Sequence, residues 1–157
     1  MQIPRSLVVV EDDPVMLKRL DDHVDGAFPG CNQRVTKDVD RVLEEPGFLD
    51  EVDLLMVNIE LFDAEQCNEL VVLAANLDLS PRCVFMYLDA ERYREIAELM
   101  TSTTGGLALH KDAQAEEFFS AINAHLDALP PTPPTELEAA AELPQEEEVE
   151  IGEPMGG

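Results

Sequence analysis

Asp-Leu-Leu-Met-Val-Asn-Ile-Glu-Leu-Phe-Asp, residues 53–63, contains the pattern of a buried strand that ends at Asn58. A second near-continuous apolar run, Leu-Val-Val-Val at residues 7–10, is followed directly by Glu11, Asp12 and Asp13. Such runs are typical of strands in a parallel sheet, where helices cover both faces. The two stretches therefore predict buried strands with polar groups at their carboxyl ends.

The rest of the chain extends this pattern into five successive strand–helix units. Apolar runs predict strands at Ser6–Val10, Arg34–Lys37, Leu54–Ile59, Cys83–Leu88 and Leu107–His110. Amphipathic segments predict helices at Pro14–Phe28, Asp38–Glu45, Ala64–Leu77, Ala90–Thr101 and Gln114–Leu129. Since parallel strands need crossover connections, and the crossovers cover the faces of the sheet, this alternation predicts an α/β fold with a parallel sheet.

Helix signals support these assignments. Asp13 precedes Pro14, which is a favourable N-cap followed by proline at the first helical position, and Asp63 and Asp112 are predicted to cap the third and fifth helices. In the last helix, apolar side chains at residues 118, 122 and 126 recur four apart and are predicted to face the core.

The composition limits the classes of function. The formal charge is −24; residues 1–128 carry 26 acids and 10 bases, and residues 129–157 carry 8 acids and no base. Binding to a nucleic-acid backbone requires basic side chains, so we expect no nucleic-acid partner. A cationic partner or a high-salt cytoplasm is compatible with this charge. No apolar run approaches the length of a membrane span, and the N-terminus lacks a secretory pattern, so we expect a soluble, cytoplasmic protein without a membrane partner.

The composition changes after residue 129. Residues 1–129 are predicted to form one domain, and Pro-Pro-Thr-Pro-Pro at 130–134 begins a stiff linker that leads into an acidic, largely disordered tail up to residue 157. A short helix at 135–143 is one alternative within this tail, since Thr135 and Glu138 have capping-box spacing. The tail is too short for a DNA-binding output domain.

The candidate site lies where the strands end, because ligands of open α/β sheets bind outside the carboxyl ends of the strands. Strand one leads into Glu11 and Asp12, strand three ends at Asn58, strand four ends at Leu88 and strand five leads into Lys111. Two acids, an amide, an apolar side chain and an ammonium group are therefore predicted to meet at one edge.

These residues resemble those of the receiver domain of response regulators over about residues 5–129. The resemblance rests on Leu-Val-Val-Val-Glu-Asp-Asp-Pro at 7–14, on the stretch at 53–63 and on Lys111 after Leu-Ala-Leu-His. It implies a doubly wound, five-stranded parallel sheet of the flavodoxin-like and CheY-like type, with strand order 2-1-3-4-5. It also implies two-component signal transduction as the functional context.

Glu11, Asp12 and Lys111 match residues that the family retains. By resemblance, the acid pair corresponds to the carboxylates that hold Mg²⁺, and the lysine corresponds to the one that pairs with the phosphoryl group. We expect Mg²⁺ binding to be weak or missing, because Asn58 offers only a neutral oxygen to the cation. We expect no other cofactor. Without a phosphoryl group, Lys111 is predicted to pair with Glu11 or Asp12 in an acidic pocket.

Three positions depart from the family. Asn58 stands where the family has the phosphate-accepting aspartate, Leu88 where it has a Ser or Thr, and Ala108 where it has a switch aromatic. A register shift of one would place Asp89 at the hydroxyl position, which also provides no neutral hydroxyl donor. These departures imply a pseudo-receiver that does not work by aspartyl phosphorylation.

The sequence thus predicts a stand-alone, non-enzymatic protein-interaction module, with the fourth helix, fifth strand and fifth helix as its contact surface by resemblance. Two alternatives stay open: a conventional receiver in which Asn58 is an inactivating or engineered change or another acid accepts phosphate, and an acidic decoy or chaperone that acts through its tail. Cys31, Cys67 and Cys83 fit neither a disulfide framework nor a zinc site, and we interpret them as buried or half-buried thiols.

Overall fold

The computed structural model describes residues 4–130. Five strands form one parallel sheet in the order β2-β1-β3-β4-β5, with β1 at Ser6–Val10, β2 at Asn32–Thr36, β3 at Leu54–Asn58, β4 at Cys83–Tyr87 and β5 at Leu107–His110. The helices are α1 at Pro14–Ala27, α2 at Val39–Glu44, α3 at Ala64–Asn76, α4 at Ala90–Thr104 and α5 at Ala115–Asp127. This is the flavodoxin-like, doubly wound arrangement that the sequence predicts.

The sheet separates two apolar layers. Strands β3 and β4 are buried along their whole length, as their continuous apolar runs require, and β2 is the partly exposed edge strand. One layer packs α2, α3 and α4 against the sheet and the other packs α1 and α5. The second layer contains Phe118, Ile122 and Leu126, all at most 2% exposed, which confirms the inward stripe of the last helix.

The element boundaries differ from the sequence prediction by a few residues. Strand β3 stops at Asn58 because a 3₁₀ turn, Ile59–Leu61, follows it. Strand β4 stops at Tyr87, so Leu88 lies in the loop and does not end the strand. Helix α4 continues three residues past its predicted end, to Thr104, where Gly105 at φ +79° provides a left-handed C-cap.

Gly106 is required by close packing against β4. A Cβ atom at this position would lie 2.4 Å from the backbone oxygen of Cys83, which is closer than real side chains approach. The Gly105-Gly106 pair therefore serves the turn from α4 into β5.

Aspartate side chains cap most of the helices. Asp13 accepts a hydrogen bond from the Val15 N–H (3.1 Å), and Asp63 forms a complete capping box with Gln66 at the start of α3. The predicted cap by Asp112 is wrong: α5 begins after Gln114, whose side chain makes no capping bond. Ala113 and Gln114 lie between Asp112 and the first residue of the helix, Ala115, so Asp112 is not at the N-cap position.

The predictions for the linker, tail and short helix fall on residues 131–157, outside the described part of the chain. Within residues 4–130, no helix is long and apolar enough to cross a bilayer. The three cysteines are free, with Cys67 and Cys83 buried and Cys31 half-buried, as predicted.

Candidate functional site

Three polar side chains are buried together where β1, β3 and β5 end. Glu11 is 1% exposed, Asn58 is 5% exposed and Lys111 is 7% exposed. The backbone at both ends of this group continues the sheet ladder: Glu11 N–H donates to Thr36 O (3.0 Å), and Lys111 N–H donates to Tyr87 O (2.7 Å). The parallel strands thereby bring residues far apart in sequence to one edge.

The Glu11 carboxylate is the centre of the group. Its Oε2 accepts a hydrogen bond from Asn58 Nδ2 at 2.7 Å, and its Oε1 lies 2.5 Å from Lys111 Nζ. This confirms the predicted pairing of Lys111 with Glu11. Burying an ion pair costs solvation free energy, which is recovered only when the remaining polar atoms are also hydrogen-bonded. The N–H group of the Asn58 side chain provides one such hydrogen bond to Glu11.

The Asn58 amide is fixed from both sides. Its Oδ1 accepts from the Glu60 N–H at 3.0 Å, which also caps the 3₁₀ turn. Its Nδ2 faces a carboxylate, which can only accept. Asparagine supplies the donor and the acceptor that this position needs, whereas an ionised aspartate would supply two acceptors and place a second negative charge against Glu11.

The second acid beside Lys111 is Asp13. Its Oδ2 lies 3.9 Å from Lys111 Nζ, while Asp12 is exposed and contributes only its backbone N–H, 3.3 Å from Glu11 Oε2. Of the two predicted partners of Lys111, the described structure therefore pairs only Glu11. The Asp12 side chain lies outside the buried group because the chain turns into α1 at Asp13.

Arg19 of α1 holds the loop that follows Lys111. Its Nη1 donates to Lys111 O (3.1 Å) and its Nη2 donates to Ala113 O (2.9 Å). Two hydrogen bonds from one guanidinium group fix both the loop and the backbone from which the Lys111 side chain extends.

These residues do not fit a resident Mg²⁺. Both oxygens of Glu11 are already engaged, one by an ammonium group and the other by an amide N–H. Mg²⁺ demands oxygen ligands in near-octahedral geometry, and the Lys111 ammonium group, 2.5 Å from the Glu11 carboxylate, occupies the position that such a cation would take. Within the described residues, no group of three or more His, Cys, Asp or Glu side chains is arranged to hold a metal ion.

Glu60 adds a contact that the sequence did not predict. Its Oε2 accepts hydrogen bonds from the backbone N–H groups of Leu88 (2.7 Å) and Asp89 (2.8 Å), in the loop between β4 and α4. Backbone N–H groups at a helix start bind anions readily. Here a carboxylate of the chain itself occupies them. The only sequence signal was an acid two residues after Asn58.

Leu88 differs from its predicted role. Its side chain is 45% exposed and lies in the loop, so it does not place apolar bulk into the buried group. Its backbone N–H is a donor, but Glu60 already uses it. Ala108 lies on β5, partly buried against the α2–α3–α4 layer, and offers no aromatic ring to change rotamer.

An aromatic side chain is present at the end of the neighbouring strand. Tyr87, the last residue of β4, is 7% exposed, and its ring meets the ring of His110 edge to face with centroids 5.2 Å apart. An interaction with the Tyr87 hydroxyl also raises the pKa of the Arg94 guanidinium on α4. The ring contact thus joins the ends of β4 and β5.

Burial leaves the thiols without nucleophilic character. It raises the pKa of Cys83 to about 12, and burial together with the charge of Asp63 raises the pKa of Cys67 to about 11. A thiol with so high a pKa is almost entirely protonated at neutral pH, and the thiolate is the reactive form. The described cysteines therefore provide no activated nucleophile.

Comparison with known proteins supports the fold. Neither a protein-family model nor a curated protein matches this chain. An adenylate cyclase from Rhodopirellula baltica superimposes with a TM-score of 0.59 at 15% identity, over 80% of this chain and 89% of that one. A yeast Spc42 trimeric coiled-coil segment fused to another structure gives 0.59 at 16% identity, over 94% of this chain and 88% of that one. At these identities the likeness establishes the flavodoxin-like fold alone.

Proposed function

We propose that this chain is a pseudo-receiver, a protein-interaction module of two-component-type signal transduction that works without aspartyl phosphorylation. The observation that carries the proposal is the engagement of both Glu11 oxygens, by Asn58 Nδ2 and by Lys111 Nζ. Glu11, which would help to hold a metal ion, and Lys111, which would pair with a phosphoryl group, instead pair with each other. The site is complete as it stands.

Glu60 supports the same proposal at the adjacent loop. In a receiver that responds to phosphate, the donors beside the acceptor must be free to meet the new phosphoryl oxygens. The N–H groups of Leu88 and Asp89 are instead held by the Glu60 carboxylate at 2.7 and 2.8 Å. The Glu60 carboxylate thus keeps a negative charge beside these donors at all times, whereas a phosphoryl group would supply one only after phosphorylation.

The proposed contact surface includes α4, β5 and α5, and the ring contact between Tyr87 and His110 joins β4 to β5 beside it. Ala108 has no alternative rotamer with which to report a change, and the Tyr87 ring packs against His110 of β5. Binding is therefore controlled by the presence of the partner and not by phosphorylation of this chain.

Two measurements test the proposal. Intact-mass spectrometry after treatment with acetyl phosphate and Mg²⁺ should show no phosphoryl adduct, and an adduct would favour the conventional-receiver alternative. In the Asn58→Asp variant, the same treatment should leave the NMR shifts of α4, β5 and α5 unchanged, because Glu60 and Ala108 remain. A concerted shift of those amides would show that the switch is intact.

A further inference from the structure

An apolar groove lies between α3 and α4, on the face of the sheet away from α1 and α5. Its volume is about 540 Å³. Phe62, Cys67 and Met100 are buried at its floor, and Ile96 and Leu99 stand along its α4 side. Leu99 is 68% exposed and Ile96 is 39% exposed, so a large aliphatic surface faces solvent inside a concave site. Such a site is typical of a binding groove.

The spacing of the lining residues fits a helical occupant. On α3 the groove is lined at positions 64, 67, 68 and 71, and on α4 at positions 92, 93, 96, 99, 100 and 103. These steps of three and four place one face of each helix along the groove. An elongated apolar channel between two helices accepts an amphipathic helix whose anchors are spaced three, four and seven residues apart.

Charge selects among the possible occupants. Asp63 lines the groove, and Glu65 and Glu95 are exposed on the two helices, three residues from the lining residues Asn68 and Arg92. Arg92 is the one base among the lining residues. The rim is therefore acidic, and a basic helix would complement it.

The other two candidate occupants carry the wrong charge. The chain beyond residue 128 has 8 acids and no base, and a second copy would bring the same acidic α3–α4 face. Both would place like charges against Asp63, Glu65 and Glu95. We propose that the α3–α4 groove binds a basic amphipathic helix of a partner protein. This proposal rests on the interaction-module function, to which it adds a second surface, beside the one formed by α4, β5 and α5, and a class of partner.

The test uses the full chain and a synthetic peptide of leucine and lysine with leucines at helical spacing. A peptide of the same composition in scrambled order controls for charge, since the −24 chain attracts any cation. At physiological salt, isothermal calorimetry should give the patterned peptide at least tenfold tighter binding than the scrambled one. NMR shifts should concentrate at Val71, Ile96 and Leu99.

Variants locate the binding. Leu99→Asp should weaken the patterned peptide at least tenfold, while Val15→Asp on α1 adds the same charge at a side chain that is 69% exposed and should leave binding unchanged. Equal binding of the two peptides, equal losses in the two variants, or shifts confined to β5 and α5 would overturn the proposal.

NMR spectra of the chain without peptide test the two other occupants, which are the tail and a second copy of the chain. Groove shifts caused by Leu137→Asp would assign the groove to the tail, and concentration-dependent groove shifts would assign it to a second copy; either outcome overturns the proposal. The phosphorylation tests are independent of these readouts. A phosphoryl adduct with intact peptide binding would refute the proposed function alone, and lost peptide selectivity without an adduct would refute the groove alone.

Discussion

Asn58 Nδ2 donates a hydrogen bond to Glu11 Oε2 at 2.7 Å, so the amide at the end of β3 satisfies one oxygen of the buried carboxylate that follows β1. Lys111 Nζ forms an ion pair with the other oxygen of Glu11, Oε1, at 2.5 Å. Asparagine at position 58 therefore fits a group in which one carboxylate contacts one amide and one ammonium group.

The Asn58→Asp variant should be less stable than the unmodified chain at neutral pH. It loses a charge-assisted hydrogen bond and places a second carboxylate against Glu11, which we expect to cost about 2–3 kcal/mol of unfolding free energy. Urea denaturation measures the loss, which should shrink as the pH is lowered and the new carboxyl group takes up a proton. Asn68→Asp, at an exposed position of α3, is the matched control and should change stability little.

The Lys111→Met variant should lose about 3–5 kcal/mol, because it leaves the Glu11 carboxylate buried without its cation. Lys37→Met removes an exposed lysine and is the control. In a double-mutant cycle, adding Glu11→Gln to Lys111→Met should recover part of the loss. If the loss of unfolding free energy in the double variant equals the sum of the losses in the two single variants, the two side chains do not stabilise each other.

The Glu60→Ala variant should loosen the loop between β4 and α4. Two backbone N–H groups lose their carboxylate acceptor, and because the site is partly open to water we expect a loss of about 1–2 kcal/mol. Hydrogen exchange should accelerate at Leu88 and Asp89 while the amides of β3 stay protected. Glu69→Ala, on the exposed side of α3, should not change those rates, and unchanged exchange in Glu60→Ala would contradict the assigned contact.

His23 should make the protein less stable in mild acid. Its ring stacks on Phe119 with centroids 3.8 Å apart, and burial lowers its pKa from 6.5. Because the unfolded chain then binds a proton more readily than the folded chain, its contribution to stability is present above about pH 6.5 and is lost as the pH falls. The His23→Phe variant keeps the stacking and should flatten this dependence between about pH 7 and pH 5. An NMR titration in which the His23 pKa is not lowered would refute the explanation.

The five strand–helix units were predictable from the sequence because their signals are local. Buried parallel strands have continuous apolar runs, and Asp13 and Asp63 mark helix starts through capping bonds to residues two or three positions away. The Glu11–Lys111 pair was predictable once the fold was assumed, since both residues directly follow strands that end at one edge of the sheet.

The remaining features depend on contacts between distant segments or on a single turn. Glu60 reaches the loop between β4 and α4, 28 residues away, and an isolated acid in a sequence does not indicate its partner. Asp12 and Asp13 are adjacent acids, and only the turn into α1 decides which one approaches Lys111. The end of β4 was misplaced by one residue because Tyr87 and Leu88 are both apolar enough to continue a buried strand.

The Glu11, Asn58 and Lys111 side chains contact one another and need neither a metal ion nor a phosphate. Two-dimensional NMR of the unmodified chain, recorded before and after addition of Mg²⁺ and acetyl phosphate, measures this. The backbone amides of Glu11, Asn58 and Lys111 and the side-chain amide of Asn58 should keep their shifts. Saturable shifts of these signals, spreading into α4 and β5, would contradict it.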